Sequence, residues 1–357
     1  MLPGLLSFLS AFLVSFLATP LTVLIFKKKR LFDDPKKHQH PKVVHTYPVP
    51  RGGGIPIFLG LLASFLFLPP DKHLIGILLG AGITLLVGLL DDRFEEKIHP
   101  LLRLGSNFFA AGVVVLAGIG IAWVNNPFGG IIPLDQPQYC LFLLGETRCL
   151  WLLADLVALF WIAWTMNFVG WSGGIEGQLP GVVVIAALTI AGISLKFSAD
   201  ITQWPVLILA LVTAGAYLGF LPWNFYPQKI MPGYSGKSLA GFLLAVLSIL
   251  STAKIFTLML VLAIPLIDAG YLVIKRLFSG KSPIWGDREH FHHRLLALGW
   301  GKKKIAIFYW LITAGLGVLA LNLNSRQKFY TMFMLITLFL SLILWLNSLN
   351  LKQRTPV

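Results

Sequence analysis

Residues 4–26 read Gly4-Leu-Leu-Ser-Phe-Leu-Ser-Ala-Phe-Leu-Val-Ser-Phe-Leu-Ala-Thr-Pro-Leu-Thr-Val-Leu-Ile-Phe26, with no charge, and Lys27-Lys28-Lys29-Arg30 follows at once. A bilayer core needs roughly 20 apolar residues in a helix, so this stretch is long enough to cross one. A cleaved signal would carry its basic residues in front of the apolar run. Here they come behind it, which predicts an uncleaved span with its N-terminus outside. The rest of the chain repeats the pattern. Further apolar segments fall at about 52–69, 73–90, 101–123, 149–166, 181–196, 202–222, 238–253, 255–276, 305–323 and 329–348. The expectation is an all-α polytopic membrane protein of eleven spans, forming a single domain over 1–357.

Composition agrees. Of the 357 residues 56% are apolar and 12% charged, with a mean hydropathy of +0.78. Soluble domains carry about a quarter charged residues, so an ordinary cytosolic enzyme is excluded, as are a disordered chain and a disulfide-stapled secreted module. The net charge of +14 would suggest nucleic acid in a soluble protein, but in a membrane protein it reads as basic loops on one side. Alternating topology places 23 Lys and Arg on one side and 6 on the other. That asymmetry predicts an outer N-terminus, a cytoplasmic C-terminus and no nucleic-acid partner. Seven of the eight histidines and nine of the fifteen acidic residues fall in the cytoplasmic loops, so the site is expected to face the cytoplasm.

Five stretches carry chemistry. His45-Thr-Tyr-Pro-Val-Pro-Arg51-Gly-Gly-Gly54 leads into the second segment, and its glycines at a helix start suit an anion; a juncture beside anionic headgroups is the plainer alternative. Asp91-Asp92 closes the third segment, where the helix dipole disfavours carboxylates. Either a divalent cation compensates them or they form a solvated helix end. Asn167-Phe-Val-Gly170-Trp-Ser-Gly173-Gly174-Ile-Glu176-Gly177 follows the fifth segment as a close-approach turn or a plain Gly-rich loop.

Asn224 to Ser238 contains Gly236-Lys237-Ser238, but Met231 stands where a phosphate-binding loop needs its first glycine, and a span rather than a strand precedes. The fifth stretch is Asp287-Arg288-Glu289-His290-Phe-His292-His293-Arg294 through Gly299. Asp287 suits an N-cap and Gly299 the residue past the helix end. Phe291, Leu295 and Leu298 would form the apolar face of a short helix on the membrane surface. His290 and His293 would share a face beside Arg288 and Arg294, suited to a diphosphate. Zinc is a poorer fit without a cytoplasmic Cys, and a solvated patch is the plain alternative. Cys140 and Cys149 are read as either a disulfide on the outer side or two buried thiols.

Taken in order, these stretches resemble the polyprenyl-phosphate N-acetylhexosamine-1-phosphate transferase superfamily, and the likeness includes Ile264-Pro-Leu-Ile-Asp268. The form His290-Phe-His292-His293-Arg294 is similar to the GlcNAc-1-phosphate branch rather than the muramoyl-pentapeptide branch. The resemblance implies transfer of a sugar phosphate from a UDP-sugar to a polyprenyl phosphate, release of UMP and assistance by Mg²⁺. It would occur in a plasma or inner membrane, for cell-wall synthesis. It implies catalytic and metal roles for Asp91, Asp92 and Glu176. Substrate binding would fall to His45, Arg51, Asn167, Asn224, Lys237, His290, His292, His293 and Arg294. A homodimer is left open. The chain departs from the pattern at Gly170 (for Asn), Gly173 and Tyr234 (for Asp), Glu176 (for Asp) and Lys237 (for Ser). The alternative reading is a degenerate homologue that binds lipid carrier or nucleotide sugar without turnover.

Overall fold

The computed structural model describes residues 2–36, 45–94, 98–143, 146–251, 254–282 and 289–352. Helix α1 (Leu2–Lys28) is followed by strands β1 (Phe32–Asp33) and β2 (Val49–Pro50). Helix α2 (Gly54–Leu61) continues as a 3-10 turn to Leu66, and α3 (Lys72–Phe94) and α4 (Pro100–Leu116) follow. Two hairpins come next, β3 (Trp123–Asn125) with β4 (Ile131–Pro133) and β5 (Gln138–Leu143) with β6 (Glu146–Trp151). The remaining helices are α5 (Leu152–Ser172), α6 (Gln178–Lys196), α7 (Gln203–Asn224), α8 (Gly233–Leu250), α9 (Lys254–Val261), α10 (Ala263–Phe278), α11 (Phe291–Ala297), α12 (Lys302–Asn322) and α13 (Ser325–Lys352).

All eleven apolar segments become helices, but not eleven full spans. Among the described residues eight helices are long and apolar enough to cross a bilayer: α1, α3, α5, α6, α7, α8, α12 and α13. A ninth candidate is the pair α9 and α10, bent by 87°. Pro265 lies in the first turn of α10, and its missing N–H removes a bond to the preceding helix. Segment 52–69 is bracketed by Gly52-Gly53-Gly54 and Pro69-Pro70, so its helix is short. Segment 101–123 stops at Leu116, with Gly118 at φ +92°. At 1.5 Å per residue, α4 is about 26 Å long, short of the roughly 30 Å hydrocarbon core.

Packing follows the small residues. Gly4, Ser7, Ala11, Ser15, Thr19 and Thr22 form the buried face of α1, and Leu5, Leu9, Leu13, Leu17 and Leu21 stay on its outside. The hydroxyls of Ser7 and Thr19 bond back to carbonyls of their own helix, at 2.8 and 2.7 Å. This small-residue face lets α7 approach closely, as membrane helices do where apolar burial offers little drive. Glycine has the same effect around α8: a Cβ on Gly88 of α3 would lie 2.3 Å from the Ser235 Cα. α8 is thereby gripped between α3 and α5, and its N-terminus is held among the loop ends.

Cys140 and Cys149 face each other in register across the β5–β6 hairpin and form a disulfide. Both are exposed, so the buried-thiol alternative is set aside.

Candidate functional site

The loops that follow the first, third, fifth, seventh and ninth apolar segments meet at one end of the bundle. Arg51 bridges to Met231, Asp92 reaches Ser235, Asn224 reaches Gly177, Lys302 reaches Glu176, and His292 lies against Gly174. The convergence expected from the sequence is therefore present.

Asp91 and Asp92 close α3, and protein groups compensate both. The half-buried Asp92 accepts bonds from the backbone N–H of Tyr234 (2.6 Å) and Ser235 (3.2 Å) and from the Ser235 hydroxyl (2.7 Å). It thus caps the first turn of α8, where the dipole favours an anion. Asp91 is 2% exposed and pairs with Arg103 Nε at 2.5 Å, an ion contact not aligned as a hydrogen bond. The Arg103 guanidinium lies over the Tyr234 ring, and the Tyr234 hydroxyl donates to Asn107 Oδ1 at 3.3 Å. Tyr234, where the resemblance implies an Asp, is built into the seam between α3, α4 and α8.

Glu176 is 5% exposed. Its Oε1 accepts from Lys302 Nζ at 2.6 Å, while Oε2 has no hydrogen-bond partner. Asn224 accepts from the Gly177 N–H at 2.9 Å and donates to Gln228 Oε1 and the Ile230 carbonyl. Its amide therefore ties two loops together. Asn167 donates to the Ala163 carbonyl of its own helix and takes no part in the cluster. His45 and Arg51 both turn to the buried Asp33, with Arg51 Nη2 at 2.5 Å and His45 Nε2 at 3.6 Å. Burial is the largest influence on His45 and lowers its pKa, although Asp33 acts the other way.

The imidazole side is arranged differently. His290 Nδ1 lies 2.8 Å from Asp268 Oδ2, and the Phe291 N–H donates to Asp268 Oδ1 at 3.0 Å. Asp268 thus both orients His290 and caps α11. The position Asp287, expected as N-cap, lies outside the described residues. Gly299 adopts φ +83°; its N–H bonds the Leu296 carbonyl and that of Trp300 the Leu295 carbonyl, a Schellman ending as expected.

The apolar face expected to rest on a membrane surface turns, at Phe291 and Leu295, into the protein core. Phe291 packs against Phe308, Tyr309 and Phe339, and Leu298 is exposed. His290 and His293 do not pair, because His290 precedes the helix and helical spacing does not apply to it. His292 stands between them, its ring 5.7 Å from His290 and 4.3 Å from His293. It is 1% exposed, and neither ring nitrogen has a hydrogen-bond partner. Burial first, then the charges of His293, His290 and Lys237, hold its pKa well below the ordinary value. The ring has room only because residue 174 is glycine: a Cβ there would meet Nε2 at 2.1 Å. Arg294 turns away, its Nε donating to the Glu289 carbonyl and its guanidinium lying over Tyr271.

Three participants escaped sequence reading, Asp33, Arg103 and Lys302, and Asp268 stood within the likeness but was given no role. A signal existed for Asp268, a lone carboxylate in an apolar segment. Lys302 was visible only as topological charge. Beside it a cavity of about 480 Å³ is lined by Tyr226, Leu296, Trp300, Gly301, Lys302 and Lys303.

Among the described residues, no three His, Cys, Asp or Glu side chains are gathered around a point that could hold a metal ion. Asp91, Asp92 and Glu176 each contact a separate protein partner, and among the described residues they do not come together as a metal-holding group.

The family model described as glycosyl transferase family 4 matches residues 74–252. A Bacillus subtilis protein named a probable undecaprenyl-phosphate N-acetylglucosaminyl 1-phosphate transferase is 29% identical, covering 92% of this chain and 88% of its own. A Mycobacterium leprae protein named decaprenyl-phosphate N-acetylglucosaminephosphotransferase is 27% identical over 90% of this chain and 83% of its own. A Mycolicibacterium smegmatis phospho-N-acetylmuramoyl-pentapeptide-transferase is 27% identical over 86% and 94%.

Proposed function

The chain belongs to glycosyl transferase family 4, and from that premise we propose that it transfers N-acetylhexosamine 1-phosphate from a UDP-sugar to a polyprenyl phosphate. The reaction takes place at the cytoplasmic face of the plasma membrane and feeds cell-wall or surface-glycan synthesis. An oxygen of the lipid phosphate attacks the phosphorus that carries the sugar. The bond from that phosphorus to the bridging oxygen breaks, and the electron pair leaves with UMP.

Such a transfer requires positioning and charge neutralisation more than covalent chemistry. The observation that carries the reading is His292: a buried imidazole with two unpartnered nitrogens, next to Lys237, at a helix-bundle end where a lipid phosphate and a soluble nucleotide can meet. A buried polar group costs about 1–3 kcal/mol when unsatisfied, and substrate oxygens would satisfy this one. His290, oriented by Asp268, lies beside the same phosphates, and Lys237 supplies positive charge. Asp91 and Asp92 act as positioning residues that hold the start of α8, while Asn224 and Glu176 hold the loop at 173–177.

A second reading, binding without turnover, is favoured by one observation: Tyr234 and Gly173 put no carboxylate where the resemblance implies two. The test is purified protein in nanodiscs with undecaprenyl phosphate and a panel of UDP-sugars. Release of UMP with UDP-N-acetylglucosamine is expected. Saturable nucleotide-sugar binding with no UMP from any donor would favour the second reading. Orientation is tested separately with Ser282→Cys, which should be labelled by an impermeant thiol reagent only from the cytoplasm.

A further inference from the structure

The departures at Gly173 and Lys237 are a single packing event. A Cβ on Gly173 would lie 3.2 Å from Lys237 Cε, and a Cβ on Gly170 would lie 3.8 Å from Lys237 Cβ. The lysine stem therefore runs over the glycine-rich end of α5, in space that a side chain at 173 would contest. Its ammonium is near enough to act electrostatically on His292. The ring of His292 fills the space over the next residue, Gly174. Two consecutive glycines thus accommodate one fixed cation and one neutral imidazole with unpartnered nitrogens.

Among the described residues, Asp91, Asp92 and Glu176 are directed to Arg103, to the first turn of α8 and to Lys302, and no three His, Cys, Asp or Glu side chains gather where a metal ion could sit. A divalent cation takes hard oxygen ligands, mostly carboxylates, and this arrangement does not offer them as a set. A lysine is a point-charge phosphate binder that needs no such set.

We infer that this chain binds the phosphates of its substrate without a divalent metal, Lys237 providing the fixed positive charge over Gly173 and His292 the adjoining hydrogen bonds. The ligand class is a diphosphate ester. The inference rests on the transferase reading only for the identity of that ester, because the geometry speaks to the phosphates alone.

The test is calorimetric titration of the purified full chain with UDP-N-acetylglucosamine and, separately, with inorganic pyrophosphate, each in excess EDTA and in millimolar Mg²⁺. The wild-type dissociation constants in EDTA and Mg²⁺ should agree to about threefold. Lys237→Met should weaken both ligands by about tenfold, equivalent to about 1.4 kcal/mol, and Lys237→Arg should restore part of the loss. A tenfold loss for wild type in EDTA would overturn the inference, and so would full affinity in Lys237→Met. The wild-type comparison needs no variant, so it decides even if Lys237→Met fails to fold. Lys237-dependent pyrophosphate binding with no UDP-sugar binding would uphold the inference and sink the transferase reading for that donor. Binding of neither probe would overturn both.

Discussion

The two sides of the loop cluster use their polar groups in opposite ways. On the carboxylate side, Asp91, Asp92, Arg103, Tyr234 and Asn107 contact one another or the start of α8. On the imidazole side, Asp268 orients His290, but His292 is buried with both nitrogens unmet. Native interiors rarely leave buried polar atoms unpaired. The carboxylate side also leaves single atoms without a hydrogen bond, Asn107 Nδ2 and Asp91 Oδ1. Its carboxylates, however, are each matched by a cation or by backbone N–H groups, whereas both polar atoms of the His292 ring are unmet. The first side therefore reads as structure and the second as a place for a ligand. Glu176 stands between the two, with one oxygen on Lys302 and the other unpartnered.

Substitutions on each side should separate these roles. The largest expected effect is at the Glu176–Lys302 pair, whose side chains are 4% and 17% exposed. Lys302→Met leaves a buried carboxylate without its cation and should lower stability by about 3 kcal/mol, read by denaturation in detergent. No change would show that the pair is solvated. Next comes Asp92→Ala, which removes the cap of α8 and strands two N–H groups. A loss of about 2 kcal/mol is expected. Asp92→Asn keeps a capping oxygen and should lose much less. Equal losses would mean that charge, not capping, is what Asp92 contributes.

The smallest and most discriminating effect is at His292. His292→Leu removes an unsatisfied polar group and should stabilise the ligand-free protein by about 1 kcal/mol, while weakening nucleotide binding. Its pKa is lowered in the folded chain from an ordinary value of 6.5. As the pH falls through about 6.5 the unfolded chain takes up a proton that the folded chain does not. Stability is therefore complete above that pH and declines below it. His45, also lowered, adds to the slope. His292→Leu should flatten part of it, and an unchanged slope would show that His292 titrates normally.

Much of the architecture was legible because hydropathy and loop charge are local. Every apolar segment became a helix, yet three of the eleven are short or bent. A hydropathy window ignores the glycines and prolines that bracket 52–69 and the Pro265 break. At the site, residue types and loop convergence were readable, but pairings were not. Asp92 was read as either compensated by a divalent cation, because its own helix disfavours it, or part of a solvated helix end. Its partner, the first turn of α8, lies 142 residues away in sequence. Likewise His290 and His293 looked like a pair on helical spacing, and only the Asp268 contact shows that the helix begins after His290. Asn167 and Arg294 matched the motif in type while their side chains bond elsewhere.

The contrast between the two sides reduces to one experiment: the affinity of the purified chain for UDP-N-acetylglucosamine in Asp92→Asn against His292→Leu. The expected result is an affinity within about threefold of wild type for Asp92→Asn and a loss of about tenfold or more for His292→Leu. The opposite order, with binding lost at Asp92 and kept at His292, would place the ligand on the carboxylate side and contradict the account.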